Sequence, residues 1–185
     1  MIAMPNDSQI VIGVAGRIGS GKSVVAHALE RDLGFQYLRY SMVLAEWFAV
    51  DPNDKTRLQE IGGEVMSGDG QRELNRRLIA RIDRGRDVVV DGLRHPTDYE
   101  SLQSAFASRF ALIFVDTPRD IRRARTRERY RTEDAFRAAD SRPVEENIDL
   151  LRPMAAAVIS GTMTAGQLTA ELQRLSASFR HGVGT

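Results

Sequence analysis

The sequence contains no cysteine, which excludes disulfides, cysteine nucleophiles and thiolate metal sites together. Its histidines are His27, His95 and His181, too few and too scattered for structural zinc. Net charge is nearly absent as well. The 26 basic residues face 25 acidic ones, which leaves +1 and gives no bulk attraction to nucleic acid or an acidic membrane. No apolar run approaches the roughly 20 residues needed to span a bilayer, and Met1 to Gln9 lack the basic and apolar regions of a signal peptide. A soluble cytoplasmic protein is expected. Lysine is scarce too: 24 of the basic residues are arginine, and only Lys22 and Lys55 are lysine. A compact ammonium kept at one site, where arginine is the chain's habit, marks that site.

What the chain does have is a core. With 185 residues, 42% hydrophobic and 28% charged, it is long enough for one substantial domain, and no repeat or interdomain linker divides it. Short apolar runs rich in β-branched residues alternate with helical patterns, which predicts a parallel sheet covered by helices. The expected strands are Ile10 to Ala15, Phe35 to Arg39, Val88 to Asp91, Leu112 to Asp116 and Val158 to Ser160. Helices are expected over Lys22 to Leu33, Asp98 to Ala107 and Arg119 to Arg129. A helical pair, Thr56 to Ser67 and Gln71 to Arg84, is broken by Gly68, Asp69 and Gly70. Residues 1–8 and 180–185, polar or glycine-bearing and without apolar periodicity, are expected to be loose ends.

The stretch Gly16-Arg17-Ile18-Gly19-Ser20-Gly21-Lys22-Ser23 satisfies the phosphate-loop pattern, directly after an apolar strand and before an amphipathic helix. Glycines let successive N–H groups converge on phosphate oxygens, and the following helix adds its positive end. Lys22 is expected at the β- and γ-phosphates of ATP and Ser23 at Mg²⁺. Val24 stands where many such loops carry a second hydroxyl.

Val88 to Asp91 reads as a buried strand ending in a carboxylate, the arrangement of an aspartate beside the loop magnesium. Arg94 follows closely enough to face the same crevice, where its planar guanidinium suits capture of an acceptor phosphate. His95 reads as structural. Between Arg119 and Arg142 nine arginines accompany five acids, a local charge of +4. Arg122, Arg125 and Arg129 recur at i, i+3 and i+7, one face of a helix. Arginines that close over a transferred phosphoryl group stabilise charge and exclude water, so residues 119–142 are expected to form a lid. The segment's aromatics, Tyr130 and Phe136, make no regular stacking platform, so nucleic acid is not an expected partner.

With these residues in view, the chain resembles P-loop kinases of the nucleoside-monophosphate-kinase type, and within them the dephospho-CoA-kinase-like and deoxynucleoside-monophosphate-kinase-like proteins. Ile12 to Ser23 is similar to that family's first strand and loop, Tyr40 to Glu46 to the segment facing the acceptor, and Leu58 to Gly62 to the acceptor-side helix. Val90 to Arg94 resembles the strand-end element, Phe136 to Arg142 the lid's return helix, and Val158 to Thr162 the final strand and turn near the adenine. The resemblance implies a three-layer P-loop NTPase fold with a five-stranded parallel sheet, an acceptor-side helical insertion over 56–84, and ATP and Mg²⁺ as cofactors. Gly16 to Val24 would bind ATP, and Ser23 with Asp91 would hold Mg²⁺. Arg39, Ser41 and Arg94 would bind the acceptor, and Lys22, Asp91, Arg125, Arg129 and Arg142 would carry the catalysis. Arg39 and Ser41 stand where dephospho-CoA kinases have an acid, and Ala157 and Ser160 where relatives have an acid and an asparagine. Phosphorylation of a nucleoside or deoxynucleoside monophosphate is therefore expected. Dephospho-CoA kinase activity, or an ATP-binding regulatory role without catalysis, are the alternatives, and a homodimer is left open.

Overall fold

The computed structural model describes residues 9–66 and 69–182. In chain order the elements are β1 (Val11–Ala15), α1 (Lys22–Leu33), β2 (Gln36–Arg39), α2 (Tyr40–Trp47), α3 (Lys55–Met66) and α4 (Gly70–Ile79). There follow β3 (Val88–Leu93), α5 (Pro96–Phe106), β4 (Phe110–Asp116), α6 (Arg119–Arg125), α7 (Glu133–Asp140), α8 (Pro143–Asp149), β5 (Ala157–Ser160) and α9 (Ala165–Gly182). The strands form one parallel sheet in the order β2-β3-β1-β4-β5. All five expected strands are present, and β3 and β4 extend beyond their expected limits to Leu93 and back to Phe110.

The strands read as nearly continuous apolar runs because both faces of the sheet are covered. Alternation sends Ile12, Val14, Val89, Ile113, Val115 and Ile159 to one face, against Val25 and Leu29 of α1 and Leu168 and Leu172 of α9. Val11, Val88, Val90, Leu112 and Phe114 point the other way, toward α2, α3, α4, α5 and Ile148 of α8. This is the three-layer α/β fold expected.

Local signals set several element ends. Gly34 closes α1 in the left-handed conformation, its N–H bonded to Leu29 and Glu30 carbonyls. His95 begins α5 with a capping box: its ring accepts from the Thr97 N–H, Asp98 reaches back to its N–H, and Pro96 follows. The structural reading of His95 therefore holds. Trp47, the sole tryptophan, ends α2, and the Arg77 guanidinium of α4 lies over its ring at 4.6 Å.

Three expectations are corrected. The helix expected over Gln71 to Arg84 ends at Ile79 as α4. The tail is not loose from Arg180, because α9 continues through His181 to Gly182 and Arg180 pairs with Asp87. The expected helix from Arg119 to Arg129 stops at Arg125. The expected loose residues 1–8 and 183–185, and the helix break at Gly68, lie outside the described residues. Among the described residues no helix is long and apolar enough to cross a membrane.

Candidate phosphotransfer site

β1 ends at the middle of the sheet, with β3 and β4 on either side, so the loop from Gly16 to Ser23 opens at the carboxyl edge. Gly19 is required there: its φ is +77°, and a Cβ would lie 2.7 Å from the Arg122 carbonyl oxygen. Gly21 precedes α1, whose first turn has no side-chain cap and no acidic residue. The N–H groups that open α1 therefore face outward with the positive end of the helix dipole behind them.

Lys22 stands at the centre of the charges. Burial lowers its pKa to about 8, Arg94 adding to the effect and Arg39 contributing, while Glu145 and Asp91 oppose it. Its ammonium forms no ion pair with any described residue. Three cations, Lys22, Arg94 and Arg39, thus converge with two carboxylates, Asp91 and Glu145. Arg94 is half-buried, and its guanidinium has no carboxylate partner among the described residues.

Asp91 is 1% exposed. Its Oδ2 accepts from Ser23 Oγ at 2.9 Å and Tyr37 Oη at 2.8 Å, and Arg39 Nε lies 3.7 Å away. Oδ1 is buried without a hydrogen-bond partner. A hydroxyl and a carboxylate with an uncommitted oxygen fit a hard cation such as Mg²⁺, which takes one or two carboxylates and completes its shell with phosphate and water. Among the described residues no group of three or more His, Asp or Glu could hold a metal unaided. Tyr37 was not among the expected residues, although alternation in β2 places it on the same face as Arg39, beside Asp91 in the register. Its ring stacks on His27 at 4.5 Å, and burial followed by the Asp91 charge pushes its phenol pKa upward.

The loop's outer residues are held by α6, α7 and α8. Arg17, expected to face ATP, has its guanidinium taken by Asp140 at 3.2 Å and Asp149 at 3.0 Å. The Ile18 N–H donates to Glu145 Oε2 at 2.8 Å and its carbonyl accepts from Arg122 at 3.2 Å. Glu145, 4% exposed, is a carboxylate at the loop that motif reading misses, since nothing in Pro143 to Asp149 marks it before α8 is folded against Ile18. Thr117 Oγ1 donates to the Ser20 carbonyl at 2.8 Å, and Arg125 donates to the Ser20 and Gly161 carbonyls at 3.2 and 2.8 Å. A Cβ on Gly161 would stand 2.0 Å from Thr117 Oγ1 and 2.2 Å from the Ser20 oxygen, so β5 meets the loop only as glycine.

The arginine row divides. Arg122 is buried against Asp140 at 2.6 Å and meets the loop at the Ile18 carbonyl. Arg125 reaches the loop. Arg129 does not: the chain turns at Thr126, whose carbonyl accepts from the Arg129 and Tyr130 N–H groups, and the Arg129 guanidinium lies 5.3 Å over the Tyr130 ring. Arg142 donates to Gln59 Oε1 at 3.4 Å, joining the start of α8 to α3. Ser41 lies in the first turn of α2 beside Arg39 and makes no hydrogen bond to Asp91. Val24 is 66% exposed.

Residues 11–154 match the family described as AAA domain. A UPF0200 protein of Methanothrix thermoacetophila is 32% identical over 127 residues, 67% of this chain and 68% of that protein. One from Pyrobaculum aerophilum is 28% identical over 179 residues, 92% and 98% of the two chains. Among solved structures, a shikimate kinase from Acinetobacter baumannii in complex with shikimate superposes with a TM-score of 0.67 at 20% identity, over 93% of this chain and 95% of that one. A gluconokinase from Sinorhizobium meliloti 1021 gives 0.58 at 16% identity, over 91% and 94%. The fold is that of these P-loop kinases.

Proposed function

The chain belongs to the family described as AAA domain and to the UPF0200 proteins, and from that premise we propose that it is a cytoplasmic, ATP-dependent phosphotransferase whose acceptor is a nucleoside monophosphate. The observation that carries the reading is that Arg39, at the end of β2, lies 3.7 Å from the Asp91 carboxylate that also accepts from Ser23, with Arg94 just past the end of the neighbouring strand β3, so that an arginine rather than an acid stands at the end of β2. A phosphate acceptor needs cations and little base strength.

The loop amides and Lys22 hold the donor phosphates. Arg94 and Arg39 hold the acceptor phosphate so that one of its oxygens attacks the γ-phosphorus in line and ADP leaves. Arg125 steadies the loop through the Ser20 carbonyl, and Arg142 closes toward the acceptor side. Ser23 and Asp91 would hold Mg²⁺, which when bound would supply positive charge to the phosphate oxygens. Alignment and fixed positive charge carry the rate, with no covalent intermediate.

A screen of ATP against CMP, UMP, dCMP, dGMP, TMP and dephospho-CoA tests this directly. A diphosphate product from one of the monophosphates is expected, and ATP binding without acceptor-dependent ADP release from any of them overturns the reading. Glu145 favours one second reading, a hydroxyl acceptor such as dephospho-CoA, since a carboxylate beside Lys22 and Ile18 could take the hydroxyl proton. In that case dephospho-CoA is converted to CoA, and Glu145→Gln removes that turnover.

A further inference from the structure

Beneath the two acceptor arginines lies a buried polar group that the chemistry above does not use. Asp98, 1% exposed, is surrounded by neutral donors. Its Oδ1 accepts from the side-chain amides of Gln71 and, at 2.8 Å, Asn75, while its Oδ2 accepts from the N–H groups of Arg94 and His95, each at 3.0 Å. Asn75 then accepts at Oδ1 from the Tyr40 hydroxyl at 2.5 Å and donates to the Gln71 carbonyl at 2.9 Å. Asn75 is also 1% exposed, and Tyr40 and Gln71 are each 7% exposed.

The ends of this chain of bonds are informative. Tyr40 is the residue after Arg39, where β2 passes into α2, and Arg39 lies opposite Asp91 in the β2–β3 register. Arg94 follows the end of β3. One route through Tyr40, Asn75 and Asp98 therefore fixes the backbone beside Arg39 to the backbone of Arg94. Two long, partly exposed cationic side chains gain a fixed spacing only if the backbone at their roots is fixed, because each guanidinium has ample rotamer freedom of its own. Four donors around one carboxylate leave no room for an alternative pattern: an amide in place of Asp98 would point hydrogens at hydrogens.

We propose that the Tyr40–Asn75–Asp98 network is a positioning device that sets the distance between Arg39 and Arg94, and so matches the site to its acceptor. The proposal rests on the acceptor role given to those arginines above. Its members touch no reacting atom, and the predicted signature is loss of acceptor fit without loss of donor binding.

The test uses the full-length protein with Tyr40→Phe, which removes one hydroxyl, and Asn75→Ala as the stronger variant. Amide hydrogen exchange needs no acceptor. The Arg94 and His95 amides are expected to exchange about 10-fold faster in Asn75→Ala and about 3-fold faster in Tyr40→Phe, from the loss of buried hydrogen bonds. The Val24 and Val25 amides, which open α1, should keep their protection. With whichever monophosphate of the screen gives the fastest ADP release, the acceptor KM should rise by about 3- to 10-fold while kcat and the ATP KM hold. Unchanged exchange at Arg94 and His95 overturns the proposal, as does an equal loss at Val24 and Val25, which marks a merely structural role. Arg94→Ala separates the underlying reading: if it leaves acceptor KM unchanged, the acceptor assignment fails, whereas a raised KM in Arg94→Ala but not in Asn75→Ala refutes only the positioning device. If no monophosphate is turned over, the assignment fails and the exchange result still decides whether the network holds the Arg94 backbone.

Discussion

Asp140 in α7 and Asp98 in α5 are both buried carboxylates, and they are kept in place by different means. Asp140 collects guanidinium groups: Arg122 at 2.6 Å, Arg17 at 3.2 Å and Arg119 at 3.9 Å. Asp98 collects only neutral N–H groups, from two amide side chains and two backbone positions. Either solution meets the cost of burying a charge. They differ in what one substitution leaves behind. Removing Asp140 strands a guanidinium whose side chain is 6% exposed, whereas removing one donor from Asp98 leaves three in place. The surroundings of Asp140 depend on matched charge and those of Asp98 on geometry.

The contrast sets an order of effects. Asp140→Ala should cost about 3–5 kcal/mol in urea unfolding, and the double variant Asp140→Leu with Arg122→Met should recover most of it. If Asp140→Ala unfolds like the parent, the packing of α6 and α7 is not held by charge. Lys22→Ala comes next, with turnover expected to fall at least about 100-fold and the unfolding midpoint at neutral pH not lowered, since the buried ammonium is lost with its burial cost. Gln71→Met takes one donor from Asp98 and should cost about 1 kcal/mol. A loss as large as that of Asp140→Ala would erase the distinction.

Lys22 supplies a pH test. Its folded pKa of about 8 lies below the ordinary 10.5, so between those values the unfolded chain binds more protons and its contribution to stability rises with pH. Affinity for tripolyphosphate should move the opposite way, falling as the ammonium deprotonates above about pH 8. Opposite slopes, both lost in Lys22→Ala, are expected from melting and titration across that range. The smallest effect belongs to Glu171→Ala, which breaks an exposed pair with Arg174 on α9 and should leave the melting temperature unmoved.

Much of this was legible in the sequence. The five strands follow from β-branched runs, and α1 was readable to its ends because a glycine stands at each. The link between Ser23 and Asp91 follows from a motif and a strand-end acid, signals that are local or set by sheet topology. What escaped depends on contacts across long separations. Glu145 becomes a loop residue only when α8 folds onto Ile18, 127 positions away. The arginine row failed at Arg129 because helical spacing assumes that the helix continues, and Thr126 turns the chain instead. The helix expected from Asp98 begins two residues earlier, at Pro96, with Asp98 in its first turn, and the bonds of Asp98 to Gln71 and Asn75 come from packing against α4. The helix α9 had a signal in Leu168, Leu172 and Leu175, whose spacing puts them on one face.

The single indole of Trp47, with the Arg77 cation over its ring, also makes the α2–α4 contact its own reporter. Its emission depends on how α2 and α4 sit against each other, and those two helices carry Tyr40 and Asn75. With every other tryptophan absent, excitation at the red edge reads that contact alone, so any shift of one helix against the other becomes an optical event that needs no label.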